Sequence, residues 1–263
     1  MTGRLIRKLA AVVLPPLGRT ALLLDLDGTL LDIAPTPDSV VVPSALLDAL
    51  RGLIVRLDGA LAVISGRPVA QVDALLHAIP TAVAGEHGGA TRFAPNAALE
   101  RVNLPSAPPE WLPAAERIAA ANPGVLLERK ERGFVLHYRA VPALGPMLRT
   151  ALEAVIGSSG QFALMPARKA WEIKPLGADK GTAVTALMAR APFAGRLPIF
   201  IGDDVTDEDG MAVARAMGGA GLKVGDAFKD PAAVRAWLAN AGLANAGLNG
   251  DIWPALTPAI APG

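Results

Sequence analysis

The sequence predicts an α/β fold: a parallel, doubly wound sheet flanked by helices, with a smaller α/β unit inserted into it. Three observations point there. Short apolar runs end in polar turn residues; segments of helical period separate them; and a proline-rich stretch mid-chain opens onto a region of different character. The length of 263 residues suits one core plus an insert.

The opening segment, residues 1–20, places Arg4, Arg7 and Lys8 before an apolar run, as a secretory leader would. Pro15-Pro16 interrupts that run and no small-x-small cleavage site follows, so a short N-terminal helix of a cytoplasmic protein is expected. Residues 21–26 (ALLLDL) form a buried strand ending at Asp27-Gly28-Thr29. A helix over 44–57 follows, then a strand over 61–64 ending at Ser65-Gly66-Arg67-Pro68, then a helix over 69–78. Residues 103–113 (NLPSAPPEWLP) read as a linker. Beyond it come a helix (114–121), strands near 125–128 and 134–138, a helix (143–156), and strands near 162–165 and 170–173. Pro175-Leu176-Gly177 returns the chain to the core. A strand over 196–201 ends at Gly202-Asp203-Asp204, a helix covers 208–217, a strand 221–224 and a helix 231–240. The tail from Ala241 reads as loosely structured. The expected division is a first core part (1–105), an inserted cap (106–173) and a second core part (174–263).

Composition narrows the chemistry. Lys+Arg (25) and Asp+Glu (24) balance, so bulk attraction to nucleic acid or an acidic membrane is not expected. No apolar run reaches the ~18–20 residues of a membrane span. With no cysteine and three histidines, thiolate chemistry is excluded and a His-rich zinc site is not expected. The expected partner is a small molecule, and the chain is expected to act as a monomer.

Polar residues gather at the ends of three strands, the edge at which open α/β sheets bind ligands. In Asp25-Leu26-Asp27-Gly28-Thr29 two carboxylates at i and i+2 leave one strand end on the same side, so one can attack phosphorus while the other handles a proton. An ordinary Asp-Gly turn is the bland alternative; an EF-hand fails because its glycine position would be Leu30 and its glutamate Thr36. Residues 202–209 (GDDVTDED) crowd five carboxylates at another strand end, which would repel unless a cation sat among them. Mg²⁺ suits Asp203 and Asp207; Glu208 and Asp209 read as charges of a helix start. Lys180 precedes a helix, where ammonium and backbone N–H groups together suit an anion. Ser65 and Arg67 add a hydroxyl and a guanidinium fit for phosphate.

In this order the four elements resemble the haloacid dehalogenase superfamily of phosphohydrolases. The strings 65–68 (SGRP), 85–88 (GEHG), 137–139 (HYR), 172–175 (EIKP) and 202–209 narrow the resemblance to trehalose-6-phosphate phosphatases, over roughly residues 20–240. Lys174 before the proline and Met211 after the acidic string depart from the usual pattern. The resemblance implies a Rossmann-like core of the haloacid dehalogenase type. Asp25 would be the nucleophile and Asp27 the acid and base. Ser65 and Lys180 would hold phosphoryl oxygens. Mg²⁺ would be bound by the carboxylate of Asp25, the backbone carbonyl of Asp27 and Asp203, with Asp207 ligating it or orienting its waters. Glu128, Lys130, Arg139 and Glu172 would hold sugar hydroxyls, with Arg67, His87 and Lys174 also facing the substrate. His137 and Tyr138 read as plain strand residues. The implied reaction is Mg²⁺-dependent hydrolysis of trehalose 6-phosphate; a sucrose or glucosylglycerate phosphate is the alternative substrate.

Overall fold

A computed structural model describes residues 14–34, 36, 39–167, 169–243 and 253–256. The N-terminal helix expected from the sequence lies largely outside them. The first part of the core holds β1 (Thr20–Leu24), α1 (Ser44–Arg56), β2 (Leu61–Ile64), α2 (Val69–Leu76), β3 (Ala82–Gly85), β4 (Ala90–Arg92) and β5 (Glu100–Arg101). The insert holds α3 (Trp111–Ala121), β6 (Leu126–Arg129), β7 (Phe134–His137), α4 (Gly145–Ile156), β8 (Phe162–Ala167) and β9 (Ala170–Pro175). The chain then adds α5 (Lys180–Met188), β10 (Leu197–Gly202), α6 (Asp207–Ala216), β11 (Ala220–Lys223) and α7 (Pro231–Leu243).

The larger sheet runs β11-β10-β1-β2-β3-β4-β5; its first five strands are parallel and β4 and β5 are antiparallel additions. Every residue of β1 and β2 is buried, as expected of parallel strands covered by helices on both faces. On α1, Leu46, Leu50 and Leu53 repeat at helical spacing and point into this core. The strands β3, β4 and β5 are absent from the sequence expectation.

The tail differs too. Helix α7 continues to Leu243, and Trp253 is buried, stacked on Trp237 with ring centroids 4.7 Å apart. Trp253 Nε1 donates to Thr20 Oγ1 at 3.4 Å, tying this part of the tail to the start of β1.

The smaller sheet, β6-β7-β9-β8, is antiparallel throughout and has its own apolar core. Its two faces follow the period of two. Phe134, Leu136 and Ile173 pack under α3 and α4 with Trp111 and Phe162. The other face carries Glu128, Val135 and Glu172 in one cross-strand row, and it looks toward the core. Among the described residues no helix is long and apolar enough to cross a membrane.

Candidate active site

The carboxyl ends of β1, β2 and β10 and the start of α5 converge beneath the smaller sheet, enclosing a cavity of about 210 Å³. Asp25 directly follows β1, anchored by its backbone N–H to the Ile201 carbonyl at 2.9 Å. Asp179 caps α5 through a reciprocal pair with Thr182, which sets Lys180 as the first helical residue. Its ammonium, 3% exposed, donates to Asp25 Oδ1 and Asp207 Oδ1 at 2.5 Å each.

Asp207 is fully buried, and its second oxygen accepts the backbone N–H groups of Asp203 (3.0 Å) and Asp204 (2.9 Å). That carboxylate folds the β10–α6 loop on itself. Gly202 leaves the room: a Cβ there would lie 2.4 Å from Asp207 Cγ. Gly28, at φ +89°, does the same for Asp203, whose Oδ2 would sit 2.3 Å from an added Cβ. Thr29 Oγ1 donates to Asp203 Oδ1 at 3.3 Å.

These charges shift one another. Burial, then the charge of Asp207, pushes the Asp25 carboxyl well above its ordinary range, and Lys180 only partly opposes this. Burial with Asp207 and Asp204 raises Asp203 to about 6. Burial alone would lower Lys180, but Asp25 and Asp207 hold its ammonium charged above the usual lysine range.

The donor set fits a hard divalent cation. Asp25, Asp203 and Asp207 each offer a carboxylate oxygen, all within 4.8 Å of one another, and no softer donor stands among them. The excess of buried negative charge that raises Asp25 and Asp203 is what such an ion would neutralise. Asp207, with both oxygens bonded, fits the role of holding the loop; Asp25 and Asp203 have more coordinating capacity to give.

Arg67 grips Asp27 from both sides: Nε donates to Oδ2 at 2.6 Å and a terminal nitrogen donates to Oδ1 at 2.7 Å. The sequence expectation aims Arg67 at substrate; here its guanidinium meets the Asp27 carboxylate, because the turn after β2 folds back toward the turn after β1. The Arg67 N–H also donates to Ser65 Oγ at 3.1 Å, so the hydroxyl and the guanidinium share one tight turn.

On the insert, Glu128 Oε1 lies 2.5 Å from Lys130 Nζ and its Oε2 lies 2.8 Å from His137 Nε2. Burial raises the Glu128 carboxyl, but His137 and Lys130 overcome it and hold it down to about 2. Glu172 is buried, yet His87 Nε2 at 3.1 Å, aided by Lys130 and Lys174, keeps its carboxyl below the usual range. His87 reaches it through a tight turn in which Glu86, His87 and Gly88 all have left-handed backbones. Arg139 bonds the Ala34 carbonyl of the core. Lys174 is set apart: burial lowers its ammonium's pKa, and the ammonium donates to Ala178 O at 3.4 Å, beside a smaller cavity of about 30 Å³ rather than in the wall of the large one.

The structure therefore brings Asp25, Asp27, Ser65, Arg67, His87, Glu128, Lys130, Arg139, Glu172, Lys180, Asp203 and Asp207 around one cavity. Asp204, the alternative to Asp207 as second carboxylate of the metal shell on the sequence reading, lines it as well, and so does His137, which that reading takes as a plain strand residue. The signal for His137 lay in alternation: residues 135 and 137 share a face of β7, and Glu128 is the diagonal neighbour of 137.

Comparison with known proteins agrees with this geometry. A model of the family described as trehalose-phosphatase matches residues 23–229. The chain is 43% identical over 202 residues to the trehalose-6-phosphate phosphatase of Escherichia coli (strain K12), covering 76% of each chain. It is 39% identical over 207 residues to a probable trehalose-phosphate phosphatase of Sinorhizobium fredii, covering 78% of this chain and 77% of that protein. In three dimensions it resembles the C-terminal domain of the C. albicans trehalose-6-phosphate phosphatase, with a TM-score of 0.72 at 20% identity over 85% of this chain and 91% of that one. Sequence kinship across the whole site region and a shared fold lead to one conclusion: the chain belongs to the trehalose-phosphatase family of phosphohydrolases.

Proposed function

We propose that the protein hydrolyses trehalose 6-phosphate to trehalose and inorganic phosphate, the last step of trehalose formation, with Mg²⁺ as cofactor and an aspartyl-phosphate as intermediate. One observation carries the reading: a buried carboxylate and ammonium, Asp25 and Lys180, face a charged, hydrogen-bonding sheet surface across one cavity. The floor suits a phosphoryl group. The roof suits a sugar rich in hydroxyls.

An oxygen of Asp25 attacks phosphorus, the bond from phosphorus to the sugar oxygen breaks, and Asp27 supplies the proton which that oxygen takes up. Asp27 then removes a proton from water, whose oxygen attacks the phosphorus and releases Asp25. Lys180 and Ser65 hold phosphoryl oxygens; a well-placed donor of this kind contributes ~3–4 kcal/mol. Asp25, Asp203 and the backbone carbonyl of Asp27 would hold Mg²⁺, which when bound supplies positive charge against the phosphoryl oxygens. Asp207 keeps Lys180 and the β10–α6 loop in register. Residues 106–173 serve as the cap, with Glu128, Lys130, Arg139 and Glu172 reading the disaccharide and His87 orienting Glu172. One chain supplies both walls of the cavity, so no second subunit is needed to complete it, and the reading takes the protein as a monomer.

Phosphate release from a panel of sugar phosphates, including sucrose and glucosylglycerate phosphates, with and without Mg²⁺, tests this. Trehalose 6-phosphate should be the preferred substrate by at least about tenfold in kcat/KM. Preference for another sugar phosphate would sink the substrate assignment and keep the chemistry.

A further inference from the structure

Arg67 and Asp27 form a two-point ion pair in the cavity wall. The guanidinium engages both carboxylate oxygens, at 2.6 and 2.7 Å, in the planar fork-to-fork arrangement that fixes orientation as well as charge. Each oxygen keeps a second lone pair, and the Asp27 side chain is 35% exposed against 12% for Arg67, so Asp27 remains open to the cavity. The turn that carries Arg67 is itself held. Its carbonyl accepts the Glu86 N–H at 3.0 Å, and the Ser65 carbonyl accepts the His87 N–H at 3.0 Å. The cap reaches the same turn: Lys130 Nζ donates to the Gly66 carbonyl at 3.5 Å, and His87, packed against Gly66, meets Glu172.

We propose that Arg67 is a positioning residue for Asp27, fixing its carboxylate as the base of the second step, and not a ligand of the phosphoryl group. This rests on the reaction proposed above. A carboxylate held at both oxygens keeps one orientation, which is what taking a proton from a placed water requires. In that step the water oxygen bonds to phosphorus, the bond from phosphorus to Asp25 breaks with its electrons returning to Asp25, and the water proton passes to Asp27. With a leaving group that departs without a proton, only this second step calls on the Asp27 carboxylate, so loss of the fork that orients it falls there.

The test uses 2,4-dinitrophenyl phosphate with Mg²⁺, because its leaving group departs without a proton and touches none of the cap hydroxyl sites. With this substrate kcat/KM reports formation of the phosphoenzyme, and kcat reports its hydrolysis. Arg67→Ala should lower kcat by about 100-fold, within the range of a lost general base, while kcat/KM changes by less than about threefold. A burst of dinitrophenolate approaching one per active site should precede the slow phase. Arg67→Lys, which keeps the charge and loses the fork, should behave the same way. In an Asp27→Asn background, Arg67→Ala should add less than about a twofold loss, as for residues acting as one unit. Inhibition by inorganic phosphate should be unchanged in Arg67→Ala, which also shows that the variant is folded. Equal losses in kcat and kcat/KM, no burst, and weaker phosphate inhibition would overturn the proposal and make Arg67 a phosphate ligand. A wild-type protein that hydrolyses no phosphate ester would instead sink the phosphatase reading, a different outcome from any of these.

Discussion

The ammonium of Lys180 and the carboxylate of Asp207 meet at 2.5 Å with both side chains withdrawn from solvent. Asp207 spends its other oxygen on two backbone N–H groups, so it behaves as a strut between α5 and the β10–α6 loop. Asp207→Asn would turn an amide N–H₂ toward those donors or toward Lys180, and either leaves a buried group unmatched. Breaking a buried pair of this kind costs about 3–5 kcal/mol, so the variant should melt many degrees lower even with Mg²⁺. A normal melting temperature combined with lost Mg²⁺ affinity would make Asp207 a ligand and not a strut.

Asp25→Asn should end turnover and leave the fold intact. Sign matters here: a carboxyl raised in the folded state costs stability once pH exceeds its unfolded value. The neutral amide removes that cost and gives up one ion pair, but Lys180 keeps Asp207 as its partner, so in metal-free buffer at pH 7 the variant should melt within a few degrees of the wild type. Phosphate release above a few per cent of wild type would dismiss Asp25 as nucleophile.

Asp203 sits against Gly28 with a carboxyl raised to about 6, the state of a group short of a counter-ion. Asp203→Ala should therefore weaken Mg²⁺ binding and activity together. EDTA should silence the wild type and Mg²⁺ restore it. Full activity in metal-free buffer would refute the cation.

Glu128→Ala and Glu172→Ala separate sugar reading from phosphoryl chemistry. Each should lower kcat/KM for trehalose 6-phosphate by about ten- to a hundredfold, the value of one lost charged hydrogen bond of ~1.5–3 kcal/mol, and barely affect a small aryl phosphate. Equal losses on both substrates would mean that the glutamates serve cap closure.

The Glu128 cluster also predicts a pH signature. Its carboxyl is depressed from 4.5 to about 2 in the folded protein. The stability it confers is thus complete above pH 4.5 and lost as pH falls toward 2. The difference in melting temperature between wild type and Glu128→Gln should shrink as pH falls from 4.5 toward 2. A difference that grew on acidification would contradict the pairing with His137 and Lys130.

Much of this was legible in the sequence because catalytic strands are apolar runs with polar ends. β2 matches its expected span, and β1, β10 and β11 lie within two residues of theirs. Strands β3, β4 and β5 escaped for a physical reason: they read AVAG, ATR and ER, short runs without the large aliphatic side chains that mark β1 and β2. Residue types pointed to the site, but partners did not follow from them. Arg67 could serve phosphate or carboxylate equally well, and only the folding of one turn toward another pairs it with Asp27. Trp253 was unreadable inside a tail of Ala, Gly, Asn and Pro, since its stacking partner lies on α7.

The insertion of one unit inside another also sets an order of events during synthesis. β1 is central, and its neighbour β10 pairs Leu22 with Ile199. Lys180 and Asp25, in the same cluster, lie 155 positions apart. When the ribosome has made β1 through β5, the middle of the sheet still lacks one side, and the buried carboxylate of Asp25 lacks its ammonium. The smaller sheet, made of contiguous chain with its own apolar centre, can form meanwhile. The later segments, α5 through α7, close the larger sheet, and only then do Lys180, Asp203 and Asp207 reach the Asp25 that was made long before them.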